Sequence, residues 1–275
     1  MSQKKMNNKL IDFGPVYYIT LKDSVDRQNN MVNQFRKFGI IDYSKIIACD
    51  GRTFDYQNDE RIITPNKYLI DSGHIATILS HLKAIEYWYE TSSSPFAIFM
   101  EDDMNLEISN FWNFTWKDII ARLPSEWNCI QLSIIRGDDA EVKLDEKDIQ
   151  LRRRSFYNWS AGSYMLTREY AKKILNHYKT GKDTYQFVIY NQPDYIPYIE
   201  NVLYIAGRPY EFTLPLFVEN VNIQSTFFPV FIDEPNKGGK IQINSSNFVY
   251  EWWKMNGHCV NIDELMTEQP ARYWG

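Results

Sequence analysis

Cysteine is scarce in this chain: Cys49, Cys129 and Cys259 are the only three in 275 residues. Their number and scatter exclude a disulfide framework and a cysteine-built zinc site, and make a reducing compartment the simpler expectation. Basic charge is short as well, with 30 Lys and Arg against 35 Asp and Glu and a formal net charge of −5. A nucleic-acid or anionic-membrane protein normally carries a basic face, so neither partner is expected. The one basic run, Arg152-Arg153-Arg154, reads as a solvated edge or loop. No apolar run approaches the roughly 18 residues that span a bilayer. Lys4 and Lys5 are followed by no apolar stretch before Asp12, which matches neither a signal peptide nor an anchor. A soluble, cytoplasmic protein without membrane insertion is the expectation. Internal repeats and flexible linkers are also missing. The glycosylation triplets at Asn113, Asn158 and Asn244 arise readily by chance in an asparagine-rich chain.

What is present is a globular composition, 44% hydrophobic and 16% aromatic, in a chain long enough for a large core. The organisation expected is one domain over 1–275, with 1–14 flexible and 232–275 forming a C-terminal extension that packs near the active site. Val16 to Leu21 is β-branched and aromatic and reads as a strand, followed by a helix capped near Asp23-Ser24 and stopped by Gly39. Lys45 to Ala48 reads as a second strand. From His74, the apolar positions Ile75, Ile78, Leu79, Leu82, Ile85 and Tyr89 follow helical spacing. Ser92-Ser93-Ser94-Pro95 breaks that helix before another strand. Cys129 to Ile135 and Ser163 to Leu166 predict strands, and Arg168 to Tyr178 predicts a helix. Asn201 to Ile205 and Leu214 to Val218 are further strand candidates, and the last forty residues read as loop, hairpin and short helix. Strands alternating with helices imply an α/β fold with a mixed, mostly parallel sheet flanked by helices.

Residues 95–103, Pro-Phe-Ala-Ile-Phe-Met-Glu-Asp-Asp, read either as a ligand site or as a solvated strand-to-loop junction that is acidic by chance. A buried strand that stops on three consecutive carboxylates is costly, because like charges repel and burial penalises each of them. The cost makes sense if a divalent cation sits there and shares a phosphate-bearing ligand. The carboxyl ends of strands in an open α/β sheet are also where ligands bind.

Four segments occur in a distinctive order: Tyr18-Ile19-Thr20-Leu21 with Asp26-Arg27; Ala48-Cys49-Asp50-Gly51; Gly73 with Leu79-Ser80-His81; and Phe99-Met100-Glu101-Asp102-Asp103. Together with Gly162 to Arg168 and Ala171, and with Pro193-Asp194-Tyr195, the chain over about residues 15–230 resembles glycosyltransferase family 25. That family includes bacterial lipopolysaccharide glycosyltransferases and collagen hydroxylysine galactosyltransferases. Thr20 stands where the family usually has asparagine, and Ala76 where it often has cysteine.

The resemblance implies a GT-A, Rossmann-like fold, a nucleotide-sugar donor that is usually a UDP-sugar, a divalent cation (Mn2+ or Mg2+), and a glycan or glycoprotein acceptor. Glu101-Asp102-Asp103 then reads as a version of the Asp-x-Asp motif. Asp103 is the first metal-ligand candidate, Glu101 a ligand through water or a ribose contact, and Asp102 a second ligand or sugar contact. His258 is a late histidine, a candidate to complete the metal shell against the reading of an uninvolved surface histidine. Thr20, Leu21, Arg27, Asp50, Ser80, His81 and Lys83 are donor-side candidates, with Arg27 expected to meet the diphosphate or pair with Asp50. Inversion needs a general base, for which Asp194 leads and Asp138 and Glu219 compete. Tyr157, Trp159 and Tyr195 are candidates to stack on a sugar face. A sugar-nucleotide- or glycan-binding module without turnover is the alternative, against which the intact acid triplet weighs. A two-metal phosphodiesterase or nucleotidyltransferase would prefer a basic groove that this charge balance does not supply.

Overall fold

Every residue of Val16–Thr20 (β1) is buried, the pattern of a strand covered on both faces. The chain reverses through α1 (Val25–Phe38), which ends at Gly39 with φ 66°, a left-handed cap that glycine takes without strain. It returns as β2 (Tyr43–Ile47), parallel to β1. The structure, a computed structural model, describes residues 8–55, 57–63, 72–134, 150–154, 160–187, 199–204, 207, 209–220 and 237–267.

A short β3 (Ile62–Ile63) precedes α2 (Ser72–Thr91) and β4 (Phe96–Glu101). Next come β5 (Met104–Asn105), a 3-10 turn over Leu106–Phe111, and α3 (Trp116–Ile120), which starts with a reciprocal capping box between Thr115 and Asp118. The chain continues through β6 (Cys129–Gln131), β7 (Leu151–Arg153), β8 (Ser163–Thr167), α4 (Arg168–Tyr178), β9 (Lys179–Gly181) and β10 (Thr184–Gln186). Last are α5 (Ile199–Tyr204), β11 (Tyr210–Phe212), β12 (Val218–Glu219), α6 (Lys237–Asn256) and α7 (Ile262–Leu265).

Seven strands form the central sheet in the order β2-β1-β4-β8-β6-β11-β7. β1 runs parallel to β2 and β4, and β6 runs parallel to β11. β8 is antiparallel to both of its neighbours, and β7 closes the edge antiparallel to β11. The sheet is therefore mixed, as expected, with helices on both faces.

The two-residue period of β1 and β4 sorts their side chains onto two cores. Val16, Tyr18, Ile98 and Met100 pack with Met31 and Phe35 of α1, whereas Tyr17, Ile19, Ala97 and Phe99 pack with Ile75, Ile78, Leu79 and Leu82 of α2. Continued past Met100, the same alternation sends Glu101 toward α2 and Asp102 toward α1.

Four sequence expectations are corrected. Asn201 to Ile205 is not a strand: Ile199–Tyr204 is helical and buries Val202 and Leu203, and a short apolar run fits either state until its neighbours decide. The sheet takes Tyr210–Phe212, and from Leu214 to Val218 only Val218 enters a strand. The basic run does lie on the sheet's edge strand, with Arg152 and Arg153 half-buried, but its end is not solvated. The Arg154 guanidinium lies 4.7 Å from the centre of the Tyr204 ring with 1% exposure, while Arg152 donates to the fully buried Glu211 at 2.8 Å. The C-terminal segment forms a 20-residue helix, α6. Its Trp253 is buried and donates to the Pro215 carbonyl at 2.8 Å, and the helix packs on the 3-10 turn and on β12. Among the described residues, no helix is long and apolar enough to cross a membrane.

Candidate active site

The buried stripe of α1 runs Arg27, Met31, Gln34, Phe35, Phe38, so an arginine heads a face that otherwise packs into the core. Its guanidinium reaches the acids at the end of β4. One nitrogen, Nη2, lies 2.6 Å from Asp102 Oδ1 and 2.6 Å from Asp103 Oδ2. The Thr20 hydroxyl donates to Asp102 Oδ2 at 2.5 Å. On the opposite face of the strand, His81 Nε2 of α2 stands 3.3 Å from Glu101 Oε1. Glu101 thus faces α2, while Asp102 and Asp103 share the arginine of α1.

These groups border an open cleft of about 540 Å3, lined by Ile19, Thr20, Leu21, Arg27, Ala48, Cys49, Thr77, Ser80, His81, Glu101 and Asp102. The cleft sits at the carboxyl ends of β1, β2 and β4, where parallel strands of an α/β sheet present ligand sites.

The acids are electrostatically uneven. Burial raises the Asp102 pKa above the ordinary carboxylate value, opposed by the Arg27 charge and by the Thr20 hydrogen bond. Asp103, with 2% exposure, is pushed up to about 7 by burial and then by the Glu101 charge, with Arg27 opposing. Asp103 Oδ1 and Arg27 Nε are buried and make no hydrogen bond. One guanidinium against two carboxylates leaves negative charge uncompensated, and a buried carboxylate oxygen without a partner is where a proton or a cation would be held.

The sequence candidates are thereby sorted. Thr20, Leu21, Arg27, Ser80, His81, Glu101 and Asp102 come together at the cleft. Asp103 lies beneath it, not on its wall. Asp50 is not paired with Arg27: a bidentate contact from Arg52, at 2.8 and 2.6 Å, holds it and lowers its pKa. The neighbouring residue on the tip after β2 captured it, while the burial of Arg27 committed that side chain to the acids. Ser80 shapes the wall, accepting from the Cys49 N–H at 2.8 Å and donating to the Ala76 carbonyl at 2.6 Å. Lys83 points at Cys49 Sγ, 3.2 Å away. Glu219 pairs in register with Met104, and the following Asn220 N–H donates to the Asp103 carbonyl at 2.6 Å, so the Glu219 backbone adjoins the acids. His258 is exposed on the turn after α6, its carbonyl accepting from Asn113 at 3.2 Å, and it does not line the cleft. Asp138, Asp194, Tyr157, Trp159 and Tyr195 lie outside the described residues. Thr77 and Cys49 line the cleft without having been singled out for it; the helical spacing of Thr77 to Ser80 and His81 was the available signal.

The family model described as Glycosyltransferase family 25 (LPS biosynthesis protein) matches residues 13–189, more than half of the chain. The chain belongs to this family. No curated protein matches it closely enough to add to that assignment. For family 25, the match runs from Phe13, just before β1, through β10, so it takes in α1, α2, β4 and β8 and with them every residue that lines the cleft. The family makes the chain a glycosyltransferase, with a donor and an acceptor to accommodate.

As a cation site, Glu101, Asp102 and Asp103 offer oxygen donors only, the set that suits Mg2+ or Mn2+. Among the described residues, no group of three or more His, Cys, Asp or Glu is arranged to hold a metal ion. The acids therefore do not form an all-protein cage. Glu101 and Asp102 are the carboxylates on the cleft wall, and Asp103 Oδ1, buried beneath them, has no hydrogen-bond partner.

Proposed function

We propose that this family 25 glycosyltransferase has a GT-A fold and moves a hexose or N-acetylhexosamine from a UDP-sugar to a hydroxyl of a glycan or glycoprotein, with inversion and with Mn2+ or Mg2+. The observation that carries this reading is the cleft at the carboxyl ends of β1, β2 and β4, with Glu101 and Asp102 on its wall and a buried, doubly paired Arg27 behind them. A cation bound there would neutralise charge on the departing diphosphate. Arg27 fixes Asp102 and Asp103 relative to each other and brings a second positive charge to the same end of the cleft. Thr20 holds the Asp102 carboxylate from the β1 side. The wall formed by Ala48, Cys49 and Ser80 gives the nucleoside a partly apolar surface. The acceptor proton goes to a base more distant than these acids, Asp194 first, with Asp138 and Glu219 as rivals.

The deciding experiment is a donor-hydrolysis and transfer screen over several UDP-sugars, with and without Mn2+. Mn2+-dependent release of UDP supports the reading. UDP binding without hydrolysis or transfer across acceptors supports the non-catalytic module, and no UDP binding at all overturns both.

A further inference from the structure

Behind Glu101 stands a second layer that no part of the proposed chemistry uses. Tyr164, on the antiparallel strand β8, is fully buried and in register with Phe99 of β4. Its ring stacks on Phe99 with centroids 5.2 Å apart and on His81 with centroids 5.6 Å apart. Its hydroxyl lies 2.9 Å from His81 Nδ1, and the other ring nitrogen, Nε2, faces Glu101 Oε1. His81 itself has 1% exposure. The three side chains form one line from the core to the cleft wall.

The directions of these hydrogen bonds follow from the partners. A carboxylate only accepts, so Nε2 must carry the proton that meets Glu101. Nδ1 of that tautomer is an acceptor, and His81 is the acceptor within reach of the Tyr164 hydroxyl. Burial also raises the Tyr164 pKa well above the ordinary phenol value, which keeps the hydroxyl a donor.

We propose that Tyr164 is a positioning residue for Glu101, acting through His81: its hydroxyl bonds Nδ1 and fixes the imidazole so that the Nε2–H aims the Glu101 carboxylate at the cleft. The inference rests on the reading of Glu101 as a contact for the cation or nucleotide. Without the hydroxyl, Nδ1 loses its donor, the ring is held by Glu101 alone, and the N–H that fixes the Glu101 rotamer is less firmly aimed.

Two measurements test this. In the first, UDP affinity in the presence of Mn2+ is measured for wild type, Tyr164→Phe, Glu101→Gln and the double variant. Tyr164→Phe keeps the stacked ring and should weaken UDP by about tenfold, the order of one lost hydrogen bond. The same substitution in the Glu101→Gln background should cost nothing further, because there is no carboxylate left to position. A loss that adds in full to that of Glu101→Gln, or no loss at all, overturns the proposal, since an effect through general packing would not depend on Glu101. In the second, the ring nitrogens of His81 are observed by 15N NMR in the unliganded protein, assigned with His81→Gln. Protonation at Nε2 is expected in both proteins, with the Nδ1 resonance displaced in Tyr164→Phe by the loss of its hydrogen bond. Protonation at Nδ1 in wild type overturns the proposal. The NMR result needs no nucleotide, so if wild type fails to bind UDP, the nucleotide reading falls while the hydrogen-bond assignment is still judged by itself.

Discussion

Arg27 Nη2 lies 2.6 Å from Asp103 Oδ2, with both side chains buried at the end of the central strand β4. The same nitrogen also meets Asp102, so one cation serves two carboxylates in a poorly solvated place. Removal of a single partner from a buried ion pair leaves a charge that burial penalises in full. Arg27→Met is expected to destabilise the protein by about 3–5 kcal/mol, whereas Arg27→Lys, which keeps the charge and loses the planar fork, should cost less. Urea titration at pH 8 measures both, and Asp103→Asn in the Arg27→Met background should recover part of the loss.

The raised pKa of Asp103 makes stability pH-dependent in a defined direction. In the metal-free folded protein this carboxyl titrates at about 7, against 3.8 for the ordinary group. Between those values the folded state holds more protons than the unfolded one, so stability falls as pH rises through the window and levels off above it. Urea titrations in a chelator from pH 4 to pH 8 should show this decline. Asp103→Asn should flatten it.

Donor binding should appear as thermal stabilisation. A ligand held at about one hundred times its Kd adds about 2.7 kcal/mol, so UDP with Mn2+ should raise Tm by several degrees. Asp102→Asn and Asp103→Ala should each abolish the Mn2+-dependent part of the shift. A full shift in both variants would remove these acids from the cation site.

Glycine at position 51 lets the tip after β2 lie against the start of α2. A Cβ there would stand 2.8 Å from Gly73 Cα and 3.2 Å from the Ser72 carbonyl, backbone that has no side-chain freedom to yield. Gly51→Ala is expected to cost about 1–3 kcal/mol by overpacking. Because Ala48 and Cys49 of the same tip line the cleft, it should also weaken UDP binding, which calorimetry would read.

The general base is identified by separating chemistry from binding. Asp194→Asn, Asp138→Asn and Glu219→Gln are each measured for transfer rate and for UDP affinity. The base variant should lose about 100-fold or more in transfer at unchanged affinity, the mark of a group used only in the transition state.

The sequence by itself determined the elements whose signals are local. β1 follows from its β-branched and aromatic run, β4 from the apolar run after Pro95, α1 from its start near Asp23-Ser24 and its stop at Gly39, and α2 from its helical spacing; α4 forms over the residues expected for it. It also placed three acids at a strand's carboxyl end and named Arg27 as a donor-side residue, expected at the diphosphate or on Asp50. Only the tertiary structure decided which charges meet. Arg27 and the acids are 75 or more residues apart, and their pairing depends on β1 lying between β2 and β4 with α1 over one face. Asp50, expected as a partner of Arg27, was taken by Arg52 two residues away. Asn201 to Ile205, Arg154 and α6 were misread for the same reason: whether a short apolar run, a cation or an aromatic stretch is buried depends on what packs over it. Periodicity and capping act within a few residues and can be read along the chain. Ion pairing and burial act through space, and the fold alone supplies the neighbours.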